Sequence, residues 1–234
     1  MKAPDLGVIL GVWAHPDDEA FLSGGLMAAS SAAGNRVTVA TATLGEAGTS
    51  DPLTWPPDRL RSVRSWELRA SLAVLGVTDH RLLGYGDGTL AEVDDVDGAA
   101  RVAELIEEVS PDTILTFGPD GMTGHSDHKA VSAWATRAWE VAGRPGRLLY
   151  ATQPVGYAQQ MEELDRRFRI FFAGSPPETP QDQMAVSFEL DPGLRDRKVV
   201  ALRAQATQTA PIIQEIGVEA FGQWMSTEHF VAAS

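Results

Sequence analysis

Val8-Ile9-Leu10-Gly11-Val12-Trp13-Ala14-His15-Pro16-Asp17-Asp18-Glu19 is the stretch that decides the fold. From Val8 to Ala14 it is an almost continuous apolar run, the pattern of a parallel strand covered on both faces. The polar cluster therefore falls at the carboxyl end of that strand, the edge where open α/β sheets hold their ligands. Pro16 disfavours the helical region for His15, so the chain stays extended or turned until a helix begins near Asp18 or Glu19.

A second segment repeats this arrangement. Thr113-Ile114-Leu115-Thr116-Phe117-Gly118, after Ser110-Pro111-Asp112, is β-branched and apolar, and it leads to Gly124-His125-Ser126-Asp127-His128. If Ser126 or Asp127 caps a helix through Val131, Trp134, Ala138 and Val141, both imidazoles lie in its first turn. One histidine then binds metal while the other faces substrate.

Together the two segments supply one divided metal site. Two imidazoles and one carboxylate leave a coordination position for water, the open arrangement of hydrolytic centres, and Asp17 is then free to serve as base. A shared cation also relieves the mutual repulsion of Asp17, Asp18 and Glu19. Taken alone, an acidic triplet reads as a solvated turn and a His-x-x-His as coincidence. Here three of the five histidines fall in these two segments, while His80 and His229 lack such neighbours.

The rest of the chain alternates strand and helix. Ala20 to Ala33 reads as a small-residue helix closed by Gly34-Asn35, and Arg36 to Thr43 as a strand. Asp58 to Leu75 reads as a helix carrying Leu60, Val63, Leu68, Leu72 and Leu75; His80 to Leu83 as a strand; and Val96 to Val109 as a helix with Val102, Leu105, Ile106 and Val109 apolar. This predicts an α/β, Rossmann-like fold: a mostly parallel, doubly wound sheet with helices on both faces and a C-terminal elaboration.

Beyond Gly143 the signal weakens. Residues 148–152 and 185–190 read as strands, Asp191-Pro192-Gly193 as a turn into a helix over 198–205, and Gly174 to Asp182 as a mobile loop. Tyr157 and Trp224 suit either a pocket roof or the core. The expected organisation is a single domain over 1–234, with a core of about 6–152 and the elaboration over about 153–234.

Composition narrows the function. With 19 basic against 32 acidic residues the chain carries a net charge of −13, which disfavours nucleic acid and anionic membranes as general partners. No cysteine is present, so disulfides, thiolate ligands and cysteine nucleophiles are excluded, and a metal must use nitrogen and oxygen. The N-terminal apolar run is interrupted by the acidic motif before it reaches the length of a secretory or membrane segment, so a cytoplasmic protein without a membrane span is expected.

At these residues the sequence resembles the LmbE-like, or PIG-L, family of metal-dependent N-deacetylases, marked by His-Pro-Asp-Asp-Glu and a later Gly-His-Pro-Asp-His. Thr43-Leu44-Gly45-Glu46-Ala47-Gly48, Arg64-Ser65-Trp66-Glu67-Leu68, Gly84-Tyr85-Gly86-Asp87-Gly88 and Lys198-Val199-Val200-Ala201-Leu202 extend the likeness from about residue 8 to about 208. The resemblance implies His15, Asp18 and His128 as metal ligands, Asp17 as general base and His125 as acid or electrophile. It implies that Asp127 orients and charge-stabilises a neighbouring imidazole. Glu46 and Arg64 match pocket-lining positions, suited to sugar hydroxyls or a phosphate, and Asp87 stands between turn aspartate and site residue.

Three positions depart from the family pattern. Ser126 replaces the usual proline, Thr123 stands near where some sugar-deacetylating members carry a tyrosine, and Ala204-Gln205-Ala206-Thr207-Gln208 lacks the family's later histidine. The implied activity is zinc-dependent removal of an N-acetyl group from an N-acetylglucosamine-type conjugate or related small N-acyl compound. Fe²⁺, Co²⁺ or Ni²⁺ would accept the same ligands. The alternatives are an amidase acting on a thiol conjugate or an antibiotic amide, and a member that only binds its ligand. A homo-oligomer is compatible with the sequence. A dinucleotide oxidoreductase is disfavoured, because an acidic loop in place of a glycine-rich one would repel a pyrophosphate.

Overall fold

The computed structural model describes residues 4–172 and 176–234. The apolar run forms β1 (Ile9–Trp13), every residue of it buried, and the chain continues through α1 (Asp18–Ala32), β2 (Val37–Thr41), α2 (Pro57–Leu75), β3 (Asp79–Leu82), α3 (Asp95–Val109), β4 (Thr113–Phe117), α4 (Ser126–Val141) and β5 (Arg147–Pro154). These five strands are parallel in the order β3-β2-β1-β4-β5. The connections leaving β1 and β4 run in opposite directions across the sheet, so the crevice between their carboxyl ends is the topological switch point where such sheets bind ligands. The α/β, mostly parallel sheet expected from the alternation is the one found.

The C-terminal part comprises α5 (Tyr157–Phe168), β6 (Glu178–Thr179), β7 (Val186–Glu189), α6 (Pro192–Ala204), α7 (Ala206–Ile216), α8 (Val218–Trp224) and β8 (Thr227–Ala232). It widens the same sheet. β8 pairs antiparallel with β5 and with β7, and β6 adds to β5 in parallel. The sequence reading passed over α5, α7, α8 and β8, and α6 begins at Pro192 rather than at 198 because Asp191 caps it, accepting the Leu194 N–H at 2.9 Å. Of the loop expected over 174–182, residues 174 and 175 lie outside the described residues, while the remainder contains β6 and a 3-10 turn over Gln181–Gln183.

Packing explains two features of α1. Its small residues let it lie close to its neighbours: a Cβ on Gly25 would sit 2.4 Å from Leu190 Cδ2. The same turn is tied to the C-terminal part by a buried ion pair, Lys198 Nζ to Glu228 Oε1 at 2.7 Å, with Glu228 also accepting the N–H groups of Gly25 and Leu26 at 2.7 and 2.8 Å. Both side chains are sealed from solvent, so each relies on the other for its charge to be tolerated.

Candidate metal centre and cavity

Four residues at the end of β1 build half of the site. Asp17 occupies a backbone conformation with φ 97° and ψ −33°, strained for a residue with a side chain. Three contacts hold it there. Arg64 Nη2 donates to the Pro16 carbonyl at 2.6 Å and to Asp17 Oδ2 at 3.2 Å, and Glu19 Oε2 accepts the Asp17 N–H at 3.0 Å. The His15 N–H in turn donates to Asp18 Oδ2 at 2.8 Å, so the turn folds its own carboxylates back on the strand end.

The other half comes from the end of β4. The N-cap of α4 is His125 rather than Ser126 or Asp127: its Nδ1 accepts the Asp127 N–H at 3.1 Å. Val131, Trp134 and Ala138 are buried as the periodicity predicts, but Val141 is 76% exposed because it lies in the last turn, beyond the sheet. Gly121, with φ +75°, makes the preceding turn. A Cβ there would meet the His125 carbonyl and Lys129 N at 3.1 Å, and the Gly121 carbonyl takes a hydrogen bond from His128 Nδ1 at 3.0 Å.

These two strand ends bring donor groups of three residues together. His15 Nδ1 lies 3.2 Å from His128 Nε2 and 3.7 Å from Asp18 Oδ2, and His128 Nε2 lies 3.4 Å from Asp18 Oδ1. The second nitrogen of each ring is already engaged. His128 Nδ1 donates to Gly121, while His15 Nε2 faces Asp87 Oδ1 at 3.0 Å and Asp127 Oδ2 at 3.3 Å. With the protons placed on those outer nitrogens, both remaining lone pairs and the Asp18 carboxylate converge on one point, the donor set and tautomers a divalent ion needs. The ring nitrogen of His125 also falls in a group with His15 and His128 whose atoms lie within 4.8 Å of one another. Its Nδ1 is spent on the Asp127 N–H, which leaves Nε2 as the carrier of its proton.

The electrostatics follow from burial. Burial pushes the Asp17 carboxyl up, Arg64 opposes it and Asp18 adds to it, leaving it at about 7. Burial, then Asp17 and Asp18, raise Glu19 to about 8. Burial pulls the His15 imidazole down, but its hydrogen bonds to Asp127 and Asp87 outweigh that and hold it at about 10. Burial lowers His128 to about 4, and burial together with the charge of His15 lowers His125. Asp18, Asp87 and Asp127 all bear on the one imidazole of His15, a local excess of negative charge that a cation would relieve.

His15, Asp17, Asp18, Asp87, His125 and His128 line one cavity of about 470 Å³. The structure places the other expected residues differently. Asp127 is fully buried behind His15, its oxygens accepting the Gly88 and Leu90 N–H groups at 2.8 and 3.1 Å, so the imidazole it orients is that of His15. Glu46 does not reach the cavity. It pairs with Arg61 and accepts the Asp87 N–H, because its loop turns the side chain toward α2, and the expectation of a substrate contact is revised. Arg64 borders the cavity, yet its Nη1 and Nη2 donors go to Gly45 O, Pro16 O and Asp17, so it is a brace for Asp17 more than a free ligand for hydroxyls or phosphate. Gln205, which the sequence marked only as part of the stretch lacking the family's later histidine, donates to Glu19 Oε1 at 2.7 Å. Tyr157 and Trp224 both line the cavity, and Trp224 Nε1 donates to Tyr157 Oη at 2.7 Å.

The chain is 32% identical to a 1D-myo-inositol 2-acetamido-2-deoxy-alpha-D-glucopyranoside deacetylase of Salinispora arenicola, over 98% of this chain and 85% of that protein. Among solved structures it resembles the N,N'-diacetylchitobiose deacetylase of Pyrococcus horikoshii, with a TM-score of 0.68, 20% identity and coverage of 98% and 84% of the two chains. It is as similar to the 4-carboxy-2-hydroxymuconate hydratase GalB of Pseudomonas putida KT2440, with a TM-score of 0.67, 18% identity and coverage of 98% and 97%. The fold alone therefore does not choose a reaction. The family model for PIG-L, the GlcNAc-PI de-N-acetylases, matches residues 10–139, which contain both strand-end segments, His15 to Glu19 and Gly124 to His128. On that match and on the identity over nearly its whole length, the chain belongs to the PIG-L family.

Proposed function

We propose that this protein removes the N-acetyl group from an N-acetylglucosamine-type conjugate, using a divalent ion held by His15, Asp18 and His128, with Asp17 as base and His125 as acid. Membership of the family makes it a hydrolase of a linear amide. The observation that carries the rest is the convergence of His15 Nδ1, His128 Nε2 and the Asp18 carboxylate in a cavity that Asp17 and His125 also line. Zinc fits two imidazoles and a carboxylate, and Fe²⁺, Co²⁺ or Ni²⁺ fit them too.

Bound at that point, the ion would supply Lewis acidity toward water and the amide carbonyl. The protein's own groups do the remainder. Asp17 takes a proton from the attacking water; burial raises its carboxyl above the usual carboxylate range, and Arg64 opposes that rise. Arg64 occupies Asp17 Oδ2 and leaves Oδ1 for that proton. His125, its Nδ1 fixed by the Asp127 N–H, directs Nε2–H at the developing oxyanion; when Nδ1 takes up a proton in place of that contact, the imidazolium passes its Nε2 proton to the departing nitrogen and returns to the neutral ring. Water adds to the carbonyl carbon, the C–N bond breaks, and acetate and a free amine leave. Asp127 and Asp87 keep the His15 ring in register. We also propose that residues 1–234 work as a single domain, because the C-terminal strands extend the sheet that carries the site.

The test is release of free amine from a panel of N-acetylglucosamine conjugates by protein of known metal content, with chelator and with metal restored. Release that the chelator stops and zinc restores is expected. Metal-loaded protein that releases no amine from any conjugate overturns the proposal.

A further inference from the structure

We propose that the cavity selects an apolar group, aryl or alkyl, that the substrate carries beyond its reacting amide. This deepens the deacetylase reading and rests on it.

Beside the metal donors of its floor the cavity carries an apolar patch of wall, with Gln153, Arg169 and Gln208 as polar side chains elsewhere in its lining. Phe21 from α1, Ile212 from α7, and Trp224 and Met225 from the end of α8 line it together with Tyr157. The Phe21 and Trp224 rings pack with centroids 6.0 Å apart. Hydrogen bonding to Tyr157 Oη satisfies the indole N–H of Trp224, which leaves the ring as purely apolar surface. Lys198 borders the cavity, but its ammonium is committed to Glu228. Among the described residues the acidic lining groups are Asp17, Asp18 and Asp87, all on the floor.

A polyol such as inositol needs a ring of donors and acceptors to replace its water, and polar groups left facing apolar walls are costly. This wall instead rewards the removal of hydrocarbon from water. Phe21, Ile212 and Trp224 pack against the edge of the hydrophobic core and turn their remaining surface to the cavity. Tyr157, Trp224 and Thr227 also line a second cavity of about 840 Å³, so they form a partition with space on both sides. The main cavity has the volume of sites that enclose a whole small molecule.

Two substrate series on the metal-loaded protein test this. In one, the aglycone of an N-acetylglucosaminide runs from methyl through butyl and hexyl to phenyl, with an inositol conjugate as the polar reference. In the other, the acyl group of the methyl glycoside is lengthened from acetyl to hexanoyl. The expected result is a kcat/KM that rises about two- to fourfold per methylene in one series, expressed chiefly in KM, with the inositol conjugate below the hexyl glycoside. Whichever series rises tells whether the apolar group sits on the aglycone or the acyl side. Ile212→Gln should flatten that rise, and Trp224→Phe, which keeps an apolar ring, should retain most of it. Flat dependence in both series with the inositol conjugate preferred overturns the apolar subsite and leaves the deacetylase reading standing. No amine release from any member overturns the deacetylase reading itself.

Discussion

The floor and the wall of the cavity are built on opposite principles. On the floor, Asp17 is held in a strained backbone conformation by Arg64 and by Glu19, which Gln205 holds in turn. His15 is held by Asp87 and Asp127, and His128 by Gly121. Each functional atom there has a named partner. The wall has almost none, since its aromatic and aliphatic side chains are fixed by packing and by the single Trp224–Tyr157 hydrogen bond. Directional bonds specify positions to a fraction of an ångström, as chemistry requires. Packing specifies only volume and polarity, which suits a surface that chooses among substrates sharing one scissile bond.

Breaking the floor should therefore have the largest effects. His128→Ala removes one of three converging donors, so stoichiometric metal and measurable turnover should both be lost; metal analysis of the purified variant checks this, and a retained equivalent of metal would take His128 out of the ligand set. Asp17→Asn keeps the Arg64 contact but cannot accept a proton, so metal should stay while kcat falls by about 10³. His125→Ala should also keep its metal and lose about 10² in kcat, with the alkaline limb of the pH profile changed because the acid is gone. Undiminished turnover in either variant would reassign that role.

Smaller effects should come from outside the floor, and they should appear in stability rather than chemistry. Glu228→Ala strands the buried Lys198 ammonium and the N–H groups of Gly25 and Leu26, which should cost about 3 kcal/mol in denaturant unfolding. A cost near zero would mean that the pair is dispensable to the join between α1 and the C-terminal strands. The smallest effect belongs to His80, which burial, aided by Arg69, lowers to about 4. The unfolded chain then binds a proton between about pH 6.5 and 4 that the folded chain refuses, so this contribution is present above pH 6.5 and is lost as pH falls. His80→Gln should flatten the stability slope in that window, and an unchanged slope would assign the slope to other groups.

What was legible in the sequence follows from the range of the signals. β1, β4 and the sheet around them were readable because a buried parallel strand is a run of apolar residues, a pattern complete within a few positions. His15, Asp17, Asp18, His125 and His128 were readable as candidates because they sit at the ends of those runs. The C-terminal elements were only partly visible. α5 has a single fully buried residue, Met161, although Tyr157, Met161, Leu164 and Phe168 are spaced as an apolar stripe, and α7 has a single fully buried residue, Thr209, with Pro211 inside the helix, so neither reads as a helix packed firmly on a core.

By itself, then, the sequence determined that this is an α/β protein with imidazole and carboxylate groups at two strand ends and no thiolate chemistry. Only the tertiary structure decided that His15 and His128 meet across the switch point with their outer nitrogens tied back. It also decided that Asp127 supports His15, that Glu46 turns away from the cavity, and that Phe21, Ile212 and Trp224 form an apolar patch in its lining. The physical reason is that local pattern records which face of an element is buried, whereas hydrogen-bond partners and cavity walls are set by residues far apart in the chain, such as Glu19 with Gln205 or Phe21 with Trp224, which come together only when the sheet has closed around them.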